Sequence, residues 1–336
     1  MIDLRTPHDP VMVDRVVELL AYGGAEPGVL VDATVGAAGH AAALLAASGE
    51  SVHLMAFDRD PDALALAQRR LAAYGERAHL VHAGYDRLAE HVEPLAARVG
   101  PLLGVLYDLG VSSMQLDRAE RGFSFRGDAP LDMRMNPDEG QTAAELIDSV
   151  DVAELARLLR VYGEERFAGR VARAIIRARP ISTTGALAAI VDEAVPAASR
   201  GRTHPATRTF QALRIAVNDE LDRFSASLPQ ALELIAPAAP PSAEPAPDGR
   251  RGGRIVVLAY HSLEDRLAKR AFADAARGCI CPPDLPVCGC GREPIVRLLT
   301  RGAERPSPQE IERNPRARGA KLRAVERAPR PSDPES

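Results

Sequence analysis

The sequence of 336 residues predicts an α/β fold in which a parallel sheet, with helices on both faces, carries an inserted all-helical domain. Short apolar runs alternate with helical patterns over the first 115 residues. Strand patterns then stop between about residues 118 and 225, and a near-continuous apolar run returns at Arg254–Tyr260. We therefore expect a discontinuous sheet domain over 1–115 and 225–336 and a helical domain over 116–224.

The predicted strands are short runs of apolar and β-branched residues. In chain order they are Val29–Asp32, Val52–Asp58, Ala78–His82, Leu102–Asp108, Arg254–Tyr260, Ile295–Thr300 and Leu322–Glu326. A helical pattern over Val13–Leu20 precedes the first strand. Asp60 is a typical N-cap, and Pro61 a typical first residue, for the helix that follows the second strand.

The middle of the chain carries helical patterns only. They cover Thr142–Ser149, Val152–Tyr162, Glu164–Ala178, Thr184–Ala194 and Ala206–Leu228. Between these helices and the strand that begins at Arg254 lies a segment rich in Pro, Ala and Gly, residues 236–253. Its composition predicts a flexible surface loop.

Composition excludes several classes of protein. Hydrophobic residues make up 46% and charged residues 26% of the chain, which is typical of a globular protein and not of a disordered one. Lys and Arg number 42 against 46 Asp and Glu, and the net charge of -4 excludes a uniformly basic nucleic-acid coat protein. We find no apolar run of about 18 residues and no signal-peptide pattern, so we expect a cytoplasmic protein with no membrane partner.

The charge is uneven along the chain. Residues 292–330 contain 11 basic and 5 acidic residues, a net charge of +6, which leaves -10 on the rest. A basic segment on an acidic body is a mild indication of nucleic-acid binding, and a solvated, disordered end is the alternative of equal weight.

A glycine-containing turn follows the first predicted strand. Gly36 and Gly39 let the backbone turn tightly and approach a ligand, although the pattern is not the GxGxxG of dinucleotide-binding proteins. The second strand ends in Asp58, whose carboxylate can hold both ribose hydroxyls of a nucleoside. A structural turn between strand and helix is the alternative.

Two more strand ends strengthen the prediction of a ligand site. Tyr85 follows the third strand, and Asp108 ends the fourth and is followed by small residues and Gln115. Ligands of open α/β sheets bind at the carboxyl ends of the strands. The set suits adenosine joined to a positively charged sulfonium, as in S-adenosylmethionine, better than a nicotinamide cofactor, because no phosphate-binding turn is complete.

Specific motifs, in the same order and over nearly the whole chain, resemble those of one enzyme family. They are DATVGAAGH, AFDRDPDAL, YDLGVSSMQLD, RGFSF, LDMRMN, YGEERFAGRVARAI, HPATRTFQALRI, YHSLEDR and NPRARGAKLR. The sequence is similar to the ribosomal RNA small subunit methyltransferase H family, also called MraW, which methylates N4 of a cytosine in 16S ribosomal RNA. It departs from that family in the fewer glycines of GAAGH, in Tyr260 where Phe is usual, and in the longer loop at 236–253.

The resemblance implies a class I, Rossmann-like methyltransferase sheet domain with an inserted helical substrate-recognition domain. It implies S-adenosyl-L-methionine as the cofactor and, as partner, 16S ribosomal RNA or the small ribosomal subunit, with the cytosine in the decoding region. The cofactor contacts carried over by the motifs, together with the turn glycine, are Gly36, Ala38, Gly39, His40, Asp58, Tyr85, Asp108 and Gln115.

Two residues are the predicted catalytic groups. A cytosine amine is a poor nucleophile, so an enzyme must engage it with hydrogen-bond acceptors and align it with the methyl group. Asp108 is placed to do so, with capping of the following turn as the alternative. His261, after the fifth strand, could accept the amine proton or bind phosphate, or be a hydrogen-bonded structural histidine. Phe123 and Phe125, or Tyr260, could stack on the base, with core packing as the alternative.

Six arginines are the predicted RNA contacts. Their spacing places the first four on one helical stripe, and the last two lie on another helix: Arg166, Arg170, Arg173, Arg177, Arg208 and Arg214. A solvated helix face, balanced by Glu164 and Glu165, is the alternative.

The four cysteines form a C-x-C-x6-C-x-C pattern at Cys279, Cys281, Cys288 and Cys290. Four thiolates so close together could hold zinc, and reduced thiols in a surface loop are the alternative.

Three other functions are weighed against the RNA methyltransferase. A DNA amino-methyltransferase would carry an Asp-Pro-Pro-aromatic motif and a target-recognition domain, which the sequence lacks. A non-catalytic RNA-binding assembly factor would have lost Asp58 or the glycine turn, and a nicotinamide dehydrogenase is the rival at the level of the fold. The oligomeric state does not follow from the sequence.

Overall fold

The computed structural model describes residues 10–24, 27–199, 204–237, 252–282 and 289–329. The chain divides into two compact units. One consists of Met1–Gly110 with Arg223–Ser336, and the other of Val111–Asp222.

In the described part of the chain, the first unit contains one seven-stranded sheet with the order β3-β2-β1-β4-β5-β7-β6. Its strands are β1 (Gly28–Asp32), β2 (Val52–Asp58), β3 (Ala78–His82), β4 (Leu102–Asp108), β5 (Arg254–Ala259), β6 (Val296–Leu298) and β7 (Lys321–Arg327). The pairings among β1 to β5 are parallel, whereas β7 pairs antiparallel with β5 and β6. The predicted α/β fold class is confirmed. Antiparallel pairing of the last strands agrees with the short helix between β6 and β7, since such pairs need no crossover.

Helices cover both faces of this sheet. They are α1 (Val13–Leu20), α2 (Gly39–Ala47), α3 (Pro61–Leu71), α4 (Leu88–Val99), most of α11 (Glu220–Leu234), α12 (Ser262–Ala275) and α13 (Pro308–Arg313). Side chains of α1, α2 and α3 pack on one face together with Leu30 and Leu106. Those of α4, α11 and α12 pack on the other face with Val31 and Tyr107. Alternate residues of each strand therefore enter two separate cores, which is why the strands are apolar almost throughout.

The second unit is helical and has a core of its own. Its helices are α5 (Ser113–Asp117), α6 (Ala143–Ser149), α7 (Val152–Gly163), α8 (Ala168–Arg177), α9 (Thr184–Ala194) and α10 (Ala206–Asn218). Two predicted helices end differently from expectation. Glu164 adopts the left-handed conformation after α7, so α8 begins four residues later than predicted. Asp219, with φ of 52°, ends α10, so the single predicted helix over 206–228 is wrong and is instead α10 followed by α11.

The predicted loop at 236–253 lies outside the described residues except at its ends. Those ends are held together, because Ala236 N–H donates to Leu102 O and Gly253 N–H donates to Ala236 O, each at 2.9 Å. Among the described residues, no helix has both the length and the apolarity needed to span a membrane.

Candidate cofactor site and substrate surface

Three carboxylates lie at one edge of the sheet. Asp32, Asp58 and Asp108 are the last residues of β1, β2 and β4, which are neighbouring parallel strands. The carboxyl ends of parallel strands share an edge, so these side chains meet where ligands bind in open α/β sheets.

The glycine turn after β1 contacts Asp58 directly. Gly36 has φ of +50°, a conformation that favours glycine, and its N–H donates to Asp58 Oδ2 at 2.9 Å. Asp60 N–H donates to Asp58 Oδ1, also at 2.9 Å. Ala38 takes the left-handed conformation, with φ of 59°, immediately before Gly39 opens α2. Both oxygens of Asp58 are thereby fixed in orientation at the end of β2.

Burial shifts the ionisation of two of the acids. It raises the pKa of Asp58 to about 6 and that of Asp32 to about 7, and backbone N–H donors oppose the rise in each case. A bound cation would favour the ionised forms. The edge is therefore electrostatically complementary to a positively charged, hydroxyl-bearing ligand.

Asp108 is held by three side chains. Its backbone N–H donates to Thr34 Oγ1 at 2.9 Å, and its Oδ1 accepts from the Tyr260 hydroxyl at 2.8 Å. Its Oδ2 lies 3.3 Å from His40 Nδ1. The carboxylate keeps 24% of its surface exposed, so it is oriented by these partners and still accessible.

His40 is buried within this cluster. Its Nε2 lies 2.9 Å from Val11 O and its Nδ1 faces Asp108, and both of these partners only accept hydrogen bonds. Burial opposes ionisation, but the hydrogen bond and charge of Asp108 outweigh it and raise the pKa of His40. Both ring nitrogens therefore face hydrogen-bond acceptors, which favours the protonated ring.

Two other predicted cofactor residues occupy well-defined positions in their own units. Tyr85 follows β3, and its ring packs edge-on against Tyr107 with the centroids 5.7 Å apart. Gln115, in the helical unit, forms a capping box with Ser112 at the start of α5. The contact of either residue with a cofactor stays a prediction.

His261 lies at the junction of β5 and α12, and its catalytic role stays a prediction. It is the N-cap of α12, where its Nδ1 accepts from Glu264 N–H and its Nε2 lies 3.0 Å from Glu264 Oε1. The Glu264 carboxylate in turn accepts from the Tyr260 N–H at 2.9 Å. The histidine is thus engaged in ending β5 and starting α12, next to the tyrosine that holds Asp108.

The phenylalanines of RGFSF belong to the core of the helical unit. Phe123 is buried there, and Phe125 packs against the rings of His204 and Phe210 with centroids 4.8 and 5.0 Å away. Core packing is therefore their role in this structure.

Exposed arginines line one side of α8. Arg170, Arg173 and Arg177 are exposed, while Val171 and Ile175 pack into the core of the helical unit. Arg166 is also exposed but precedes the helix because α8 starts later than predicted. Within the described residues, none of these four arginines forms an ion pair.

Glu165 and Arg214, for which the sequence predicted other roles, form hydrogen bonds within the helical unit. Glu165 is buried, and its Oε1 accepts from the Phe167 N–H at 2.7 Å. Arg208 is exposed on α10, whereas Arg214 makes a two-pronged ion pair with Glu220 at 2.8 and 2.9 Å. Arg214 therefore stabilises the end of α10, and its contact with RNA stays a prediction.

The basic C-terminal segment is folded rather than a disordered end in the described residues 289–329. It supplies β6, α13 and β7 to the sheet unit. Several of its cations are paired, as with Lys321 and Arg323, which lie 3.1 and 2.7 Å from Asp265. Its net positive charge is thus partly neutralised by the acidic body.

The sequence as a whole matches one known family. The description of that family is "MraW methylase family", and the match covers residues 5–328. The chain belongs to this family. A protein of Heliobacterium modesticaldum named "Ribosomal RNA small subunit methyltransferase H" is 47% identical over 324 residues, covering 95% of this chain and 98% of its own length. Relatives with that name in Saccharopolyspora erythraea and Frankia alni are 51% and 52% identical, covering 96% of this chain and 94% and 96% of their own lengths.

As a member of the MraW methylase family, the protein is a methyltransferase whose methyl donor is S-adenosylmethionine. The residues at the sheet edge fit this cofactor. Its sulfonium is positively charged and its ribose bears two hydroxyls, which complement the three carboxylates. A Cβ built at Gly36 would have only Thr34 O within 4.0 Å, so the space beside the turn is open to a ligand.

Sequence reasoning missed part of this MraW site. Thr34 and Asp32 were not singled out, although both lie in the quoted DATVGAAGH segment. Tyr260 was considered for stacking, whereas its hydroxyl donates to Asp108. The substitution of Tyr for the usual Phe was the available signal, because a buried tyrosine hydroxyl needs a partner.

Proposed function

We propose that this protein methylates N4 of a cytosine in the decoding region of 16S ribosomal RNA. The curated relatives named above support a ribosomal RNA substrate of the small subunit. The observation that carries the chemistry is the accessible Asp108 carboxylate at the end of β4, oriented by Tyr260 and His40.

The reaction needs an acceptor beside the amine. The lone pair of a cytosine N4 is delocalised into the ring, and a carboxylate that accepts an N4 hydrogen draws electron density back to nitrogen. When bound, S-adenosylmethionine supplies an electrophilic methyl group on sulfur. Asp108 orients N4 towards that methyl group and accepts the proton that nitrogen releases, a form of general base catalysis. His261 acts as a positioning residue through α12 and Tyr260.

The two units have different roles in the proposed reaction. The sheet unit performs the chemistry, and the helical unit recognises RNA through the exposed arginines of α8. Phosphate contacts of this kind position a nucleic acid without reading its sequence.

Mass mapping of methylated nucleosides tests the function. Ribosomal RNA from cells lacking the protein is expected to have lost one N4-methylation of cytosine, which wild-type protein restores and Asp108→Ala does not. Asp62→Ala, at a half-buried position in the first turn of α3, is the matched control and is expected to restore it. Circular dichroism checks that Asp108→Ala is folded.

Other outcomes identify other functions. Methylation of DNA cytosine by the purified protein, with ribosomal RNA unchanged, would make it a DNA amino-methyltransferase. Full restoration of ribosome assembly by Asp108→Ala, with no methyl group lost in the deletion strain, would make it a non-catalytic assembly factor. A methyl group on carbon 5 or on ribose would refute the assignment to N4.

A further inference from the structure

The cysteine segment after α12 forms a cluster outside the methyltransferase site. Cys279, Cys281 and Cys290 have their three sulfur atoms within 4.8 Å of one another. Cys288, the fourth cysteine of the pattern, lies outside the described residues. We propose that Cys279, Cys281 and Cys290 bind a zinc ion.

The spacing of the sulfur atoms matches zinc coordination. The Sγ atoms of Cys279 and Cys290 lie 3.7 Å apart. In a tetrahedral site with Zn–S bonds of about 2.3 Å, two sulfurs are separated by about 3.8 Å. A disulfide requires about 2.05 Å instead. The pair therefore has the separation of two ligands of one metal ion.

The backbone prepares one thiolate for this role. Cys281 N–H points at Cys279 Sγ at a distance of 3.4 Å. An N–H donor stabilises the thiolate form, which is the form that binds metal. Upon binding, each thiol loses its proton to solvent and an S–Zn bond replaces the S–H bond.

Contacts elsewhere hold the two ends of the segment together. Ile295 N–H donates to Ala275 O at 2.8 Å, and Arg292 Nη2 lies 3.0 Å from the Asp274 carboxylate. The end of α12 and the start of β6 are thus fixed next to each other before any metal binds. This arrangement lowers the entropy that the cysteines lose when they converge on an ion.

Zinc is the ion that suits this cluster. Thiolates are soft ligands that select zinc, copper(I) or iron–sulfur clusters over magnesium or calcium. Three thiolates around Zn²⁺ leave a single net negative charge, which the partly exposed position of the segment leaves accessible to solvent. The site is structural, since it lies in the connection between α12 and β6 and contains none of the residues at the strand ends.

Metal analysis of the full-length protein, purified with a reductant, tests the proposal. We expect about one zinc per chain by inductively coupled plasma mass spectrometry, and loss of at least about nine-tenths of it in Cys279→Ser and in Cys290→Ser. His53→Ala is the control, because His53 Nδ1 and His79 Nε2 lie 3.0 Å apart and form a rival place for a metal. This variant is expected to keep the zinc.

Two further measurements protect the test against misfolded variants. Cobalt added to metal-free wild-type protein is expected to give a thiolate charge-transfer band. In the zinc-loaded wild-type protein, the ligand thiols are expected to react slowly with a thiol reagent until a chelator is added. S-adenosylmethionine affinity is expected to be unchanged in each folded serine variant. Zinc content near zero in wild type, copper or iron in its place, equal zinc in Cys279→Ser, or immediate reaction of all four thiols would each overturn the proposal.

Discussion

At the scale of single residues, Asp58 carries the clearest prediction for cofactor binding. Both of its oxygens are fixed by backbone N–H groups, and the same oxygens are available to ribose hydroxyls. Replacement by alanine removes a charged acceptor, so we expect Asp58→Ala to weaken S-adenosylmethionine binding by about 1.5–3 kcal/mol. Isothermal titration calorimetry measures this, with Asp62→Ala as the matched control. An unchanged dissociation constant in Asp58→Ala would contradict the site.

The raised pKa of Asp32 is expected to make the free energy of unfolding depend on pH. Its pKa in the folded protein is raised to about 7 by burial, from an ordinary value of 3.8. The folded state therefore holds a proton that the unfolded state has lost, and the contribution to stability, complete below about pH 4, disappears as pH rises through 7. Asn lacks this titration and keeps the acceptor for Thr34 N–H.

The matching measurement is urea unfolding of wild type and Asp32→Asn at several pH values. Between pH 4 and pH 8, we expect the free energy of unfolding of wild type to fall by about 2–4 kcal/mol relative to that of Asp32→Asn. Each unit of pKa shift is worth about 1.36 kcal/mol. Asp62→Asn is the control and should follow wild type. Parallel curves for Asp32→Asn and wild type would show that Asp32 does not titrate in this range.

Residues at strand ends were predictable from sequence, and their partners were not. Asp58 and Asp108 follow apolar runs, and parallel strands bring such ends together. Tyr260 and His40 reach Asp108 across 152 and 68 residues of sequence, and no local pattern reports such contacts. The raised pKa of His40 depends on its contact with Asp108, which the sequence does not give.

At the scale of secondary structure elements, α8 carries the prediction for RNA binding. Its exposed arginines form no ion pair within the described residues, so their charges are available to phosphates. Arg170→Glu with Arg173→Glu should lower RNA affinity and flatten its dependence on salt, by a slope of about 0.7 for each single-strand phosphate contact removed. Fluorescence anisotropy with a ribosomal RNA fragment across a salt series measures both effects.

Two exposed arginines at the two ends of α4 serve as the control, of which Arg87 lies 3.4 Å from Glu90. Arg87→Glu with Arg98→Glu changes the net charge equally on exposed positions of the sheet unit, and we expect a wild-type salt slope. S-adenosylmethionine affinity should be unchanged in both double variants. Identical slopes for the α8 variant and wild type would leave the stripe as a solvated helix face.

The alternation of strands and helices identified most elements, and its failures have local causes. Periodicity continued through Asn218 and Asp219, but Asp219 adopts a left-handed conformation that ends α10. Apolar runs predicted both strands of the C-terminal segment, whereas its basic charge left a disordered end as an alternative. Residues such as Lys321 and Arg323 sit on β7 and pair with an acid on α12.

At the scale of the whole molecule, we expect the stability of the sheet unit to depend on hydrogen bonds between residues far apart in the sequence. Residues 238–251 are expected to contribute little to it. Ala236 and Gly253 are hydrogen-bonded to each other. We expect replacement of residues 238–251 by a short Gly-Ser turn to change the free energy of unfolding by less than about 1 kcal/mol, because closure entropy varies slowly with loop length. Denaturant unfolding checks this, and a larger loss would show that the loop stabilises the sheet.

A buried ion pair between β5 and β7 provides the positive control. Glu326 has no exposed surface, and its Oε1 lies 3.1 Å from Arg254 Nε on the paired strand. Glu326→Ala leaves a buried guanidinium without its carboxylate, so we expect a loss of about 3–5 kcal/mol in the same assay. A loss under about 1 kcal/mol would mean that water or another acid replaces Glu326.

The discontinuity of the sheet also decides how a growing chain acquires its reaction centre during synthesis. Translation delivers β1 to β4 first, then the helical unit, and β5 only after that. Nascent domains fold as they are completed, so the helical unit folds before Tyr260, the partner of Asp108, has been synthesised. Until β5 emerges, β4 presents an unpaired edge, and such edges pair readily with other chains. The nascent enzyme is therefore most prone to aggregation in the interval between the emergence of β4 and that of β5.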